Sequence, residues 1–547
     1  MRYEPQNPLI VQSDHTLMLE TMGPHFREVR DELVRFAELV KSPEYVHSYR
    51  VTSLSLWNAA ASGVQIEQVL HTLERWSKYD VPPNLPVHIR ETMQRYGRLK
   101  LLADDARGGL RLVASDPILM RELLGTRAAQ PYLGEVIDER AVAVTAAHRG
   151  ELKQALLAIG HPIEDLAGYV EGEALEFGLA SDLVFREYQE HAIDAFHQAG
   201  SGVIVLPCGA GKTVVGIGAI HKLQTRVLIL CTNVTALRQW REELLQKTTL
   251  TDEQIGEYSG SRKTIAAITL STYQMLTWRR SKDAEFEHFG LFQRANWGLV
   301  IYDEVHLLPA PVFRAVAHLQ ARRRLGLTAT LVREDGKQGD VFALIGPKRF
   351  DMPWKDLEHQ GWIASASCME IRIPFQDDDR LRYAVAEERE KFKLASLNPA
   401  KVDVIVELLE RHKTEKVLIL GMYLSQLEDL ASSQQLPLIT GKTPQSERDV
   451  LFASFRDGHT RVMAVSKVGN FSVDLPDAAV AIQISGTWGS RQEEAQRLGR
   501  ILRPKRGDNR AFFYTLVTRD SREQHFAEKR QLFLTEQGYA YDIEVRS

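Results

Sequence analysis

"VIVLPCGAGKTVVGI", residues 203–217, decides the reading of this chain. An apolar run stops at Pro207 and gives way to Cys208, Gly209, Ala210 and Gly211, before Lys212 and Thr213 open a second apolar stretch. A strand that breaks into a small-residue turn and then a helix is the local plan of a phosphate loop. Backbone N–H groups and the positive end of the helix point at phosphate oxygens, and the glycines let them approach closely. Lys212 is placed to reach the β- and γ-phosphates of ATP, and Thr213 to offer its hydroxyl to Mg²⁺. The strict spacing of such loops asks for glycine at 206, where this chain has Leu206. Taken alone, the loop also admits a second reading, as a structural glycine turn. Cys208 sits where the helix dipole and Lys212 favour a thiolate; a small buried residue is the competing reading there.

A second motif decides between these readings. "LVIYDEVH", residues 299–306, is an apolar strand ending in paired carboxylates. Asp303 at that strand end suits Mg²⁺, and Glu304 suits orienting or deprotonating an attacking water. His306 has no second histidine at ligand spacing, so a hydrogen bond within the site is expected of it rather than a metal bond. Further on, "SRQEEAQRLGRILRP" (490–504) places Gln496, Arg500 and Arg503 at helical spacings of four and three, hence on one face. An arginine reaching the γ-phosphate from a second domain stabilises transition-state charge only when the domains close. Hydrolysis coupled to closure is the plan of a motor.

Around these motifs the chain reads as several domains. Its 547 residues suggest about three to four. A hydrophobic content of 44% and a charged content of 26% are ordinary for a globular protein. No run of about 18 apolar residues predicts a membrane span, and the N-terminus lacks the pattern of a signal peptide. Cys208, Cys231 and Cys368 lie far apart, which argues against a disulfide framework or a four-cysteine metal site and fits a cytoplasmic location. A net charge of −4 predicts no nucleic-acid partner from the whole molecule, so such contacts must come from local clusters. Candidates are Arg279, Arg280 and Lys282; Arg322, Arg323 and Arg324; and Arg503, Lys505 and Arg506.

Residues 1–125 are expected to be mostly helical, with "YGRLKLL" and "LRLV" as a possible wing that suits a winged-helix-like accessory domain. Residues 126–182 read as a small α+β module. Continuous apolar strands alternating with helices then run twice, over 183–352 and 353–547. Each run predicts an α/β domain with a parallel sheet, in tandem.

The set "FREYQ", "LPCGAGKT", "DEVH", "GLTATLVRED", "SKVGNFSVDLP" and "QRLGRILR" resembles superfamily 2 nucleic-acid motors, and more narrowly the XPB family of DNA-repair and transcription helicases in a compact bacterial form. The resemblance covers residues 185–547 closely. It implies two RecA-like domains. It implies that Gln189 reads adenine, that Gly209, Ala210, Gly211, Lys212 and Thr213 hold the nucleotide, and that Thr328 and Thr330 link hydrolysis to domain movement. Gln496, Arg500 and Arg503 would complete the ATP site, while Arg333, Glu334 and Asp335 form an element implicated in strand separation. Thr232, Ser271, Thr272 and Ser466 would lie along the DNA track. Residues 375–398 stand where the family has a thumb-like insertion, and 126–182 where it has a damage-recognition module. In the fifth motif Asn470 and Phe471 depart from the family pattern while Asp474 keeps it.

The expected activity is ATP- and Mg²⁺-dependent unwinding of DNA, 3′ to 5′, by a monomer that acts on forked, single-stranded or duplex DNA. A duplex translocase that remodels protein–DNA complexes is the rival of the same class. An ATP-gated scaffold for a nuclease or transcription partner is the rival of another class, and an intact Glu304 with two arginines argues against it.

Overall fold

The computed structural model describes residues 3–546 apart from 34, 42–44, 282–286, 289–290, 292–294, 309–311, 313–321, 330–337, 353, 467–477, 487–493, 495–496, 500, 503–508, 537–538 and 540. The chain divides into two compact units. One comprises Met1–Val205 with Thr213–Asp351, the other Met352–Ser547 with the short segment Leu206–Lys212.

The first unit begins with β1 (Leu9–Val11), β2 (Thr16–Glu20), β3 (Glu38–Lys41) and β4 (Val46–Arg50), an antiparallel sheet in the order β1-β2-β4-β3. Helices Ser53–Ala61, Ile66–Trp76 and Asn84–Arg95 share a core with it through Leu17, Leu19, Tyr49, Leu56, Leu73 and Ile89. A second sheet follows, of β5 (Leu99–Asp104), β6 (Gly109–Ala114), β7 (Val136–Asp138), β8 (Ala141–Val144) and β9 (Ile163–Asp165), in the order β7-β8-β6-β5-β9. Its core, around Leu99, Leu101, Leu112, Leu123, Val142 and Leu156, is separate from the first.

The expected wing is thus a hairpin, β5–β6, but its remaining partners come from residues 136–165. The two cores part near residues 96–99, not at 125. The first part is also less helical than expected: its strands are three to five residues long, too short for a period-2 signal to stand out against long amphipathic helices.

The rest of the unit is a seven-stranded, all-parallel sheet. Its strands are β10 (Ser201–Val205), β11 (Val227–Cys231), β12 (Ile255–Tyr258), β13 (Ile268–Thr272), β14 (Leu299–Asp303), β15 (Arg323–Thr328) and β16 (Lys348–Asp351), in the order β12-β13-β11-β14-β15-β10-β16. Every residue of β10, β11 and β13 is buried, as a strand covered on both faces requires. The modules before it are fastened to its amino-terminal edge. Asp165 accepts from Arg149 Nε and Nη2 at 2.9 and 2.6 Å and from Lys153 Nζ at 3.0 Å. The Tyr169 ring lies 5.6 to 5.8 Å from the guanidinium carbons of Arg149, Arg323 and Arg324. Arg349 Nη1 donates to the carbonyl of Ala61 at 2.8 Å.

Burial alone would raise the Asp165 carboxyl, but Lys153 and Arg149 more than offset it and hold the group below the usual carboxylate range. Burial also pulls Lys153 down to about 8, against the opposing pull of Asp165.

The second unit repeats the parallel plan. Strands β17 (Ser365–Ile373), β18 (Val417–Leu420), β19 (Leu438–Ile439), β20 (Val462–Val465), β21 (Val480–Gln483), β22 (Arg510–Thr518) and β23 (Tyr541–Val545) pair in the order β19-β20-β18-β21-β22-β17-β23. After β17 come helices Asp377–Val385 and Glu388–Ser396, where the thumb-like insertion was expected. The acidic run Asp377–Asp379 is the first turn of a helix, where carboxylates face the positive end of the dipole. Among the described residues no helix is long and apolar enough to cross a membrane.

Candidate active site

In a parallel sheet all carboxyl ends lie on one edge, and β14, β15 and β10 are neighbours. The loop after β10, the carboxylates after β14 and Thr328 at the end of β15 therefore leave the same edge, where α/β sheets bind ligands. The loop turns at Gly209 (φ 81°) and Gly211 (φ 80°), both left-handed, so the first helical residue is Lys212. Leu206, the departure from the strict spacing, is fully buried. It extends the core, and the turn itself starts at Pro207, whose carbonyl accepts the Ala210 N–H at 3.1 Å.

Thr213 stands in the first helical turn, half-buried. Gln189 lies in the first turn of helix Glu187–Ala199 rather than in a loop; it is 4% exposed, and its Oε1 accepts the Arg186 N–H at 3.0 Å.

Asp303 ends β14. Its Oδ2 accepts the Trp240 indole N–H at 3.2 Å, and its carbonyl accepts the Tyr273 hydroxyl at 2.8 Å. Burial first, and the Asp303 charge second, push the Tyr273 phenol and the Cys231 thiol well up, so both stay neutral.

Glu304 adopts φ 49°, ψ 55°, a left-handed conformation that costs a non-glycine residue about 1–3 kcal/mol. His306, 4% exposed, has Nδ1 2.7 Å from Thr328 Oγ1 and 3.5 Å from Glu304 Oε2. It thus bonds within the site, and its partner is the threonine that the resemblance links to domain movement. The residues suit Mg²⁺, which is usually held by one or two carboxylates and the substrate's own phosphates rather than by an all-protein cage. Asp303 at the end of β14 supplies such a carboxylate, and Thr213 a hydroxyl in the first turn after the loop.

Sequence reasoning missed Trp240, Tyr273 and Gly216. Gly216, in the phosphate-loop helix, has room for no Cβ: one would stand 2.4 Å from Trp240 Cη2. Only a glycine facing a tryptophan across two helices could have signalled this, and no local pattern encodes that pairing.

The DNA candidates separate. Thr232 and Thr272 stand at the carboxyl ends of β11 and β13, and Ser466 follows β20. Thr272 also caps a short helix, accepting the Met275 N–H at 3.2 Å. Arg279 and Arg280 follow that helix, exposed, with Arg280 Nε 2.5 Å from Glu287.

The cluster Arg322–Arg324 needs correcting: it opens β15, at the edge opposite the phosphate loop. Arg324 is 1% exposed, and Arg323 pairs with Glu171 at 3.3 Å, so both serve the fastening of the preceding modules. Arg333, Glu334, Asp335, Thr330, Asn470, Phe471, Asp474, Gln496, Arg500 and Arg503 lie outside the described residues, as do Lys282, Lys505 and Arg506.

Residues near the arginines are described. Glu494, Arg497, Leu498 and Ile501 are helical and buried. Arg497 donates to Gln483 at the end of β21, Gln483 donates to Glu494 at 3.1 Å, and Tyr541 donates to the same carboxylate at 3.3 Å.

Comparison with known proteins agrees with this layout. The family described as "ERCC3/RAD25/XPB C-terminal helicase" matches residues 357–546. "Type III restriction enzyme, res subunit" matches 182–333, and "Helicase conserved C-terminal domain" matches 9–138. The chain is 54% identical over 537 residues to the DNA 3′-5′ helicase XPB of Kineococcus radiotolerans, covering 98% of this chain and 96% of that one. It is 53% identical to the protein of the same name from Mycobacterium tuberculosis, covering 98% and 97%. The general transcription and DNA repair factor IIH helicase/translocase subunit XPB/SSL2 of Saccharomyces cerevisiae is 33% identical, covering 98% of this chain and 71% of the yeast protein.

Proposed function

The chain belongs to the XPB family of DNA helicases, and we propose that it is driven by ATP hydrolysis at the loop Leu206–Lys212 and the strand end Asp303–Glu304. It is an ATP-dependent DNA helicase of superfamily 2, and its unwinding runs 3′ to 5′, the polarity in its relatives' names. One observation carries the site assignment: the phosphate loop, the carboxylate pair and the His306–Thr328 bond leave one edge of one parallel sheet.

Lys212 and the loop N–H groups bind the phosphates, and Gln189 reads the adenine. Thr213 and Asp303 would hold Mg²⁺, which when bound draws charge from the transferring phosphoryl group. Glu304 takes the proton of the attacking water. His306 lies within reach of both Glu304 and Thr328, so a change at the carboxylate is felt at the end of β15. Arg500 and Arg503, with Gln496, stabilise the charge that develops on the γ-phosphate. Arg333, Glu334 and Asp335 part the strands, and Thr232, Thr272 and Ser466 track the backbone. The module of residues 126–182 recognises distorted DNA, and the yeast relative's place in factor IIH supports a repair or transcription partner here too.

The test is the ATPase rate without nucleic acid and with single-stranded, duplex, forked and RNA substrates, alongside Lys212→Ala. The expected result is strong stimulation by forked or single-stranded DNA that the variant abolishes. A rate indifferent to every nucleic acid would favour the scaffold.

A further inference from the structure

Asp303 is a metal-ligand candidate with one side-chain oxygen already engaged. The engaged atom is Oδ2, and its donor, the Trp240 indole N–H, stands 3.2 Å away on helix Val234–Lys247. An indole nitrogen only donates, whatever the pH. The bond therefore fixes the rotation of the carboxylate about its last side-chain torsion.

The ring's placement is constrained by its burial, by Gly216 and by the start of its helix. Trp240 is 1% exposed. Its Cη2 edge lies against Gly216 of the phosphate-loop helix, and the same glycine's missing Cβ would also meet Leu327 of β15 at 3.3 Å. The helix that carries it starts directly after β11, where Asn233 Oδ1 accepts the Ala236 N–H at 2.9 Å and fixes its first turn. A buried indole N–H needs an acceptor, and the one it meets here is the carboxylate that ends β14, on the same edge of the sheet as the phosphate loop.

We propose that Trp240 is a positioning residue for ATP hydrolysis: its indole N–H fixes the Asp303 carboxylate in the orientation that receives Mg²⁺. Gly216 is its partner, the position that lets the ring reach. This rests on the assignment of the ATP site above. Donors that orient a metal-binding carboxylate typically change metal affinity by about 10–100-fold when removed.

The experiment uses the full chain and a fluorescent ADP analogue, with binding measured in EDTA and across a Mg²⁺ titration. Trp240→Phe keeps an aromatic ring and deletes the N–H. The expected result is a Mg²⁺ requirement for tight nucleotide binding about 10-fold higher than in the wild type, with affinity in EDTA unchanged. Gly216→Ala leaves the indole chemistry intact but pushes the ring. It is compatible with a helix and should show the same shifted Mg²⁺ requirement, which covers the case of Trp240→Phe failing to fold.

An unshifted Mg²⁺ titration in either folded variant overturns the proposal, as does an equal loss of affinity with and without Mg²⁺, the mark of a merely structural residue. If the wild type itself shows no Mg²⁺-dependent nucleotide binding, the assignment of the ATP site fails, and the proposal with it.

Discussion

Glu304 holds a left-handed backbone that glycine would adopt freely. Strain of this kind persists where surrounding structure over-determines it, and here the neighbours are the buried Val305 and His306. Glu304→Gln keeps the shape and removes the proton acceptor. Turnover should fall roughly 100- to 10,000-fold with nucleotide binding unchanged, as read by ATPase rate and equilibrium binding. A glutamine variant with near wild-type turnover would remove Glu304 from the proton transfer.

At this scale the strand, turn and helix around Lys212 and the strand ending at Asp303 were legible, because both are patterns of neighbours along the chain. Trp240 and the pairing of His306 with Thr328 depend on side chains brought together across separate elements, and no spacing rule reaches that far.

Among the elements, the cluster Asp165, Arg149, Lys153 and Arg324 joins the second sheet to the amino-terminal edge of the third. One carboxylate there faces three buried cations. Lys153 titrates near 8 in the folded chain, below its ordinary 10.5. Between those values the unfolded chain carries the extra proton, so stability rises with pH across that window. Relative to Lys153→Met, the wild type should gain stability from pH 8 to pH 10, by at most about 1.4 kcal/mol per pH unit, measured by denaturant midpoints. A difference that stays flat or falls with pH would contradict the burial of a strained ammonium.

The same cluster shows why Arg322–Arg324 misled. Three consecutive arginines look like a phosphate grip in the sequence, and only strand direction reveals that they open β15 instead of closing it. Buried apolar strands such as "VLILC" and "LVIYD" were legible because a parallel sheet forces every position to be apolar. The short strands of the first sheet, such as Leu9–Val11, were not.

For the molecule as a whole, the tandem α/β plan was readable from alternation alone, and the family from six motifs. The accessory sheets were harder to place, because strands β5 and β6 pair with segments 25 or more residues further on. Sequence proximity suggested a wing of the first module, whereas the hydrogen bonds make it the centre of the second.

What the molecule does with ATP is best tested by strand displacement. The substrates are duplexes with a 3′ or a 5′ single-stranded tail, each assayed with the wild type, with Lys212→Ala and without nucleotide. The account predicts ATP-dependent release of the displaced strand from the 3′-tailed duplex only, and none by the variant. Release from the 5′-tailed duplex alone, release without ATP, or DNA-stimulated hydrolysis with no strand released from either substrate would contradict it.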